Sequence, residues 1–282
     1  MTTRRSAVVG VAVLAALGGG LGASCVGSVE LRVMGRGEDC ARDFGSSTAA
    51  AKIETFLAAS RSLGDASSSL ELEMQRHCEE GLAHAGLAVD ATAPPASACV
   101  ELGRWVVSES EALGSARLVA SEPRCTQPED AFAACVSRCE LRYRPEDVNV
   151  VVDESGLLTA PQASPRCRAS CETLGAIGET CTPPAVVASG AVAPTDPARV
   201  ARLEAALGDV AQALATSARA ERISTAARRL VAIAPVLPEA AATVSIRAVS
   251  CVSAASIDIR GCEDRLARVA SDAEVLRPAL LR

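Results

Sequence analysis

The sequence contains very few aromatic residues. Among its 282 residues these are Trp105, Tyr143, Phe44, Phe56 and Phe132. Aromatic rings are the usual platforms on which nucleic-acid bases stack, so the composition offers little material for binding bases or sugars. Acidic residues also outnumber basic ones, 34 to 28, which gives a net charge of −6. This balance argues against nucleic acid and anionic lipid as partners.

Long hydrophobic runs are also missing from most of the chain. The N-terminus has Arg4 and Arg5, an apolar stretch over residues 7–17 and a glycine-rich break over residues 18–22. This order is typical of a secretory signal peptide, which we predict over residues 1–24. The twin arginines are compatible with the Tat route, but the residues after them favour ordinary Sec-type export. Beyond this segment no apolar run approaches about 18 residues, so we expect no transmembrane helix in the mature chain.

The residues around Cys25 allow two interpretations. Leu21 stands four residues before Cys25, as in a lipobox displaced by one position, which indicates lipid attachment to Cys25. Gly22 and Ser24 equally satisfy the small-residue rule of ordinary signal peptidase. Membrane association is therefore expected only through a lipid on Cys25. The predicted location is the periplasm, the outer membrane if Cys25 is lipidated, or the extracellular space.

Cysteine, in contrast, is abundant, and six of the twelve cysteines form a mirror-symmetric array. Gaps of ten and four residues separate the first three, and gaps of four and ten the last three: Cys125, Cys135, Cys139, Cys167, Cys171 and Cys181. Paired from the outside inwards, the positions of each pair add up to 306, as in two antiparallel segments in register. Such bonds need an oxidising compartment, which export supplies. We therefore predict a hairpin closed by the bonds Cys125–Cys181, Cys135–Cys171 and Cys139–Cys167.

Four more cysteines are candidates for disulfide bonds outside the array. Cys78 and Cys99 flank a proline-containing loop on successive predicted helices, so a bond between them would join those helices. Cys40 competes for either partner, and its own pairing stays open. Cys251 and Cys262 lie on either side of a predicted turn over residues 256–261 and are expected to form a local bridge.

Apolar residues recur at helical spacing on both sides of the array. Before it, the pattern predicts two helices within residues 53–85 and a third that runs to Val119. After it, Asp196 and Pro197 predict a helix start. Within the array, residues 148–152 and 157–159 predict a short β-hairpin. Because each flank is short of bulky side chains, we expect the two to share one core.

The predicted fold is mainly α: a helical bundle with an inserted, disulfide-stapled antiparallel helical hairpin that carries a short β-hairpin. The predicted segments are a signal peptide (1–24), a flexible leader (25–48), N-terminal bundle helices (49–122), the cysteine-rich hairpin (123–184), a linker (185–197) and C-terminal bundle helices (198–282).

Candidate catalytic or metal-binding residues are few. His77 and His84 are seven residues apart, which puts them on one helix face but about 10.5 Å apart along the axis, too far to chelate one ion. Glu79, Glu80 and Asp209 have no recognisable partner geometry and are expected on solvated helix faces. Catalysis by a pair such as His77 and Cys78 requires a third group that orients the histidine, and the sequence around them shows none. We therefore predict no enzyme, no catalytic, cofactor-binding or metal site, and no cofactor.

The order of cysteines resembles that of cysteine-rich predicted lipoproteins of myxobacteria. The resemblance rests on Cys78 and Cys99, then on Cys125, Ala133-Ala134-Cys135, Cys139, Cys171, Cys181-Thr182-Pro183-Pro184 and Cys251. It implies a location in the cell envelope and no particular activity. We expect an exported structural or interaction protein with an unknown protein or envelope component as partner. The alternatives are a helical bundle that binds a small apolar ligand and, third, an enzyme of unknown type.

Overall fold

The computed structural model of the protein describes residue 40 and residues 43–89, 95–112, 117–121, 123–189 and 196–277. The helices are α1 (Thr48–Ala85), α2 (Pro95–Ala112), α3 (Glu129–Glu140), α4 (Pro165–Ile177), α5 (Pro197–Ile233), α6 (Leu237–Ala242) and α7 (Ile246–Glu274). The strands are β1 (Arg117–Ala120), β2 (Arg124–Thr126), β3 (Val151–Val152), β4 (Leu158–Thr159), β5 (Thr180–Thr182) and β6 (Val186–Ser189). The chain is mainly helical, as predicted.

Helix α1 is one continuous helix of 38 residues, where the sequence predicted two. It begins after Ser47, whose side chain accepts a hydrogen bond from the backbone N–H of Ala50 and so caps the helix. It ends at Gly86, whose φ of 78° is readily adopted by glycine. The prediction of two helices was wrong because the buried stripe continues without a proline through Leu63, Ala66 and Leu70.

Helices α1, α5 and α7 form the bundle and share one core, as predicted. The common cluster of buried side chains contains Ile53, Phe56, Leu63, Leu203, Leu207 and Leu266. Helix α5 begins where expected, with Asp196 accepting hydrogen bonds from the backbone N–H groups of Ala198 and Arg199. Much of the core is alanine, which lets long helices approach closely but buries little area per residue.

The two flanks of the cysteine array meet along parallel helices. At the start of α7, Arg247 donates to the carbonyl of Asp43 just before α1, and further along Arg265 donates to Ser68 in α1. Helix α5 packs against both helices. It runs antiparallel to α7, since Ser217 lies beside Ala270 and Ser224 beside Glu263. No helix of the described segments is long and apolar enough to span a membrane.

The cysteine-rich hairpin contains the three predicted bonds. The Cα atoms are 5.7 Å apart in Cys135–Cys171, 5.6 Å in Cys139–Cys167 and 4.0 Å in Cys125–Cys181, the last being shorter than the usual 4.4–6.8 Å. Helices α3 and α4 pack against each other, and β3 pairs with β4 in the predicted β-hairpin.

The antiparallel register of the hairpin extends beyond its cysteines. Strand β2 pairs with β5 and strand β1 with β6, and in both pairs the partner positions again add up to 306. Two predictions are therefore wrong. The third helix ends at Ala112 and does not run to Val119, and residues 186–189 of the expected linker form a strand. Tertiary structure overrides the local pattern here, because each segment provides the backbone hydrogen-bond partners of the other strand.

The expected bond between Cys251 and Cys262 is also wrong. The predicted turn over residues 256–261 does not exist, because α7 continues through it. Eleven residues along a helix correspond to about 16.5 Å, beyond the reach of a disulfide. Cys251 is bonded instead to Cys40, with Cα atoms 5.6 Å apart, and this bond ties the segment before α1 to α7. Cys262 is likewise disulfide-bonded.

Candidate functional site

The cysteines that the structure describes serve structural roles. Cys78 is bonded to Cys99 as predicted, with Cα atoms 4.9 Å apart, and both are almost completely buried. Because no described cysteine is free, none offers a thiolate as nucleophile or metal ligand. Pairing of His77 with a nucleophilic Cys78 is thereby excluded. Cys25, the possible lipidation site, lies outside the described residues. The five described bonds indicate an oxidising compartment.

Arginines of α5 fasten the cysteine-rich hairpin to the bundle. Arg222 donates to the Glu179 carboxylate and to the carbonyl of Gly156, both at 2.6 Å. Gly156 has a φ of 76°, a backbone conformation that favours glycine. Arg219 donates to the carbonyl of Ile177 at 2.9 Å. The contacts join both ends of the hairpin to one helix.

A second group of charges lies about two helical turns further along α5. Arg229 contacts Asp153 at 2.6 Å and Glu172 at 3.1 Å, and it donates to Ser155 at 2.9 Å. The Glu172 side chain is only 2% exposed. A buried carboxylate with a single cationic partner depends on that partner, so Arg229 fixes the hairpin's position on the bundle.

Burial and hydrogen bonding shift three carboxyl pKa values in this region. Burial raises the pKa of Glu179, and the nearby guanidiniums of Arg222 and Arg219 do not fully offset it. Burial would also raise the pKa of Asp153 and of Glu140, but here hydrogen bonds prevail. Those from Ser155 and Arg229 lower the pKa of Asp153, and those from Ser164 lower that of Glu140. These three carboxyl groups have structural roles, since each accepts hydrogen bonds from a neighbouring element.

The two histidines of the chain lie at one place on the surface, where α1 meets α5. Nδ1 of His84 lies 2.7 Å from Oδ2 of Asp209 on α5. Nδ1 of His77 lies 3.9 Å from Oε2 of Glu80. One possible ligand atom of each of His77, Glu80 and Asp209 lies within 4.8 Å of the others. The expectation of solvated carboxylates was therefore wrong for Asp209, whose side chain is only 13% exposed.

Gly81 lies where α2 packs on α1, close to Asp209. A Cβ at Gly81 would lie 2.6 Å from a side-chain carbon of Leu102 in α2 and 3.4 Å from Cβ of Asp209. The first distance is too short for a carbon contact, so the absence of a side chain lets α2 pack closely here. Asp209 comes near the histidines through the packing of α5 on α1, which sequence periodicity within α1 alone does not predict.

Two other features of the described residues are less suited to binding or catalysis. Cys125, Cys181 and Glu179 form a second group with metal-binding residue types, but their sulfurs are joined in a disulfide. A cavity lined by Glu71, Met74, Gln75, Cys99, Val269 and Asp272 has a volume of ≈ 20 Å³. That space holds about one water molecule and no organic ligand.

Comparison with protein-family models, with curated proteins and with solved structures finds no significant match to the chain.

Proposed function

We propose that the protein is an exported, disulfide-stabilised structural or interaction protein of the cell envelope or extracellular space. The observation that carries the proposal is the extent of its covalent framework. Bonds Cys40–Cys251 and Cys78–Cys99 secure the bundle, and three more close the hairpin. Such a framework persists outside the reducing cytosol, and the N-terminal segment has the features of an export signal.

Packing between α1, α2 and α7 favours this role over binding of a small apolar ligand there. A ligand-binding bundle needs an apolar cavity of roughly 300 Å³ or more. The cavity between α1, α2 and α7 has a volume of ≈ 20 Å³ and two carboxylates, Glu71 and Asp272, in its wall. Large apolar side chains are instead exposed on α7, where Ile246 is 86% and Ile257 74% exposed. Eleven residues are three helical turns, so both lie on one face, which suits contact with another macromolecule.

Expression of the full chain in a bacterial host tests the export that the proposal requires. Cells are fractionated, and thiols are trapped with a maleimide of high mass before electrophoresis. We expect the protein in the envelope or medium with its cysteines protected from the reagent. The matched control lacks residues 1–24 and should stay in the cytosol with reactive thiols. Full-length protein that remains cytosolic and fully alkylated would refute the proposal.

A further inference from the structure

The histidine cluster on α1 and α5 combines residue types that rarely meet by chance in this chain. Its only two histidines both lie there, although they make up two of 282 residues. Three carboxylates, Glu73, Glu80 and Asp209, act on His77 electrostatically, against the one guanidinium of Arg76. The cluster therefore places imidazole nitrogens in a negative environment, which suits a cation.

His77 supplies the second, independent indication of a ligand. Its Nδ1 is buried and has no hydrogen-bond partner, although its side chain is 13% exposed overall. A buried polar atom without a partner is destabilising unless something satisfies it. A cation bound by the ring nitrogen would satisfy it, since imidazole nitrogen is a common metal ligand.

His84 has a different part in the cluster. An ionised carboxylate only accepts hydrogen bonds, so at 2.7 Å the Nδ1 of His84 donates its proton to Oδ2 of Asp209. A hydrogen bond of this kind to a coordinating carboxylate fixes its orientation.

We propose that His77, Glu80 and Asp209 bind a divalent transition-metal cation of the zinc class, with His84 holding the Asp209 carboxylate in place and water completing the coordination. Imidazole nitrogen with carboxylate oxygen suits Zn²⁺, whereas Ca²⁺ and Mg²⁺ prefer oxygen alone. Tetrahedral zinc needs ligand atoms about 3.3–3.6 Å apart. One ligand atom of each residue lies within 4.8 Å of the others, and Glu80, whose side chain is 51% exposed, can rotate closer to the other two.

Calorimetric titration with ZnCl₂ tests the site, using the oxidised full chain without an affinity tag after treatment with chelator. We expect saturable binding of one Zn²⁺ per chain. His77→Gln and Asp209→Asn should each weaken it at least about 10-fold, and His84→Gln by a smaller factor. Asp264→Asn on the exposed face of α7 removes the same charge and should leave affinity unchanged.

Nuclear magnetic resonance of the imidazole groups gives a readout that does not depend on the folding of variants. Because the chain has two histidines, wild-type protein gives two sets of imidazole signals. Zinc should shift the His77 nitrogen resonance strongly and that of His84 less. No saturable binding below about 1 mM, unchanged affinity in both His77→Gln and Asp209→Asn, or a shift of the His84 signals alone would each overturn the proposal.

Discussion

Disulfide Cys40–Cys251 should stabilise the fold more than any bond of the ladder. It joins residues that are 211 positions apart. A cross-link restricts the unfolded chain more when the loop that it closes is longer, and for this loop the chain-entropy model gives about 5 kcal/mol. Cys135–Cys171 spans 36 positions, but its neighbours in the ladder already close the same segment. With both neighbours intact, it closes a ring of only about ten further residues, worth about 2.5 kcal/mol.

The comparison uses two double variants, Cys40→Ala/Cys251→Ala and Cys135→Ala/Cys171→Ala. In a protein of this size 1 kcal/mol corresponds to roughly 2–4 °C in Tm. The first variant should therefore melt roughly 5–10 °C below the second when both are followed by circular dichroism at 222 nm. Urea unfolding provides the free energies. Equal destabilisation, or a larger loss in the ladder variant, would refute the entropic reasoning and show that native packing around the ladder sets its contribution.

Other predictions address the hairpin, its charges and the first cysteine. Complete reduction should unfold residues 125–181 first, and unchanged hydrogen-exchange protection there would contradict this. Arg229→Met should cost about 2–4 kcal/mol in urea unfolding because Glu172 is left buried, whereas the exposed neighbour Arg228→Met should cost under about 0.5 kcal/mol. The pKa of Glu140 is lowered in the folded state, so its contribution is fully present above about pH 4.3 and is lost as pH falls through the folded-state pKa; Glu140→Gln should thus be destabilising at pH 7 and less so in acid. Ten of the twelve cysteines form the described bonds and Cys262 is bonded too, so mass spectrometry of the mature protein should find none of these eleven cysteines free; the mass of its N-terminal peptide tells whether Cys25 carries a lipid.

The hairpin could be predicted because several cysteine pairs within one short segment all indicate the same pairing. Three cysteine pairs with one constant positional sum specify an antiparallel register, and a shift by one residue would break all of them. The same sum pairs Val119 with Val187, so the register of the array extends to strands β1 and β6. Helical periodicity up to Val119 predicts a helix instead, and the strand register overrides it.

The pairing of Cys40 with Cys251 had no comparable signal. Sequence spacing restricts partners only when both lie on elements whose relative position is known, as with Cys78 and Cys99 across one loop. Cys40 and Cys251 become neighbours only because α1 and α7 run parallel with their starts side by side. That arrangement follows from the packing of three long helices, which a stripe of apolar residues does not determine.

The histidine cluster likewise depends on how helices are placed relative to one another, which the sequence pattern does not determine. Separation along one axis correctly rules out direct chelation of a single ion by His77 and His84. A third group from another helix changes the geometry, because Asp209 reaches the histidines from α5, which packs against α1. The spacing of residues within one helix predicts only which of that helix's own side chains lie near each other. A site built across two helices also depends on the offset between them, which no pattern within either helix specifies.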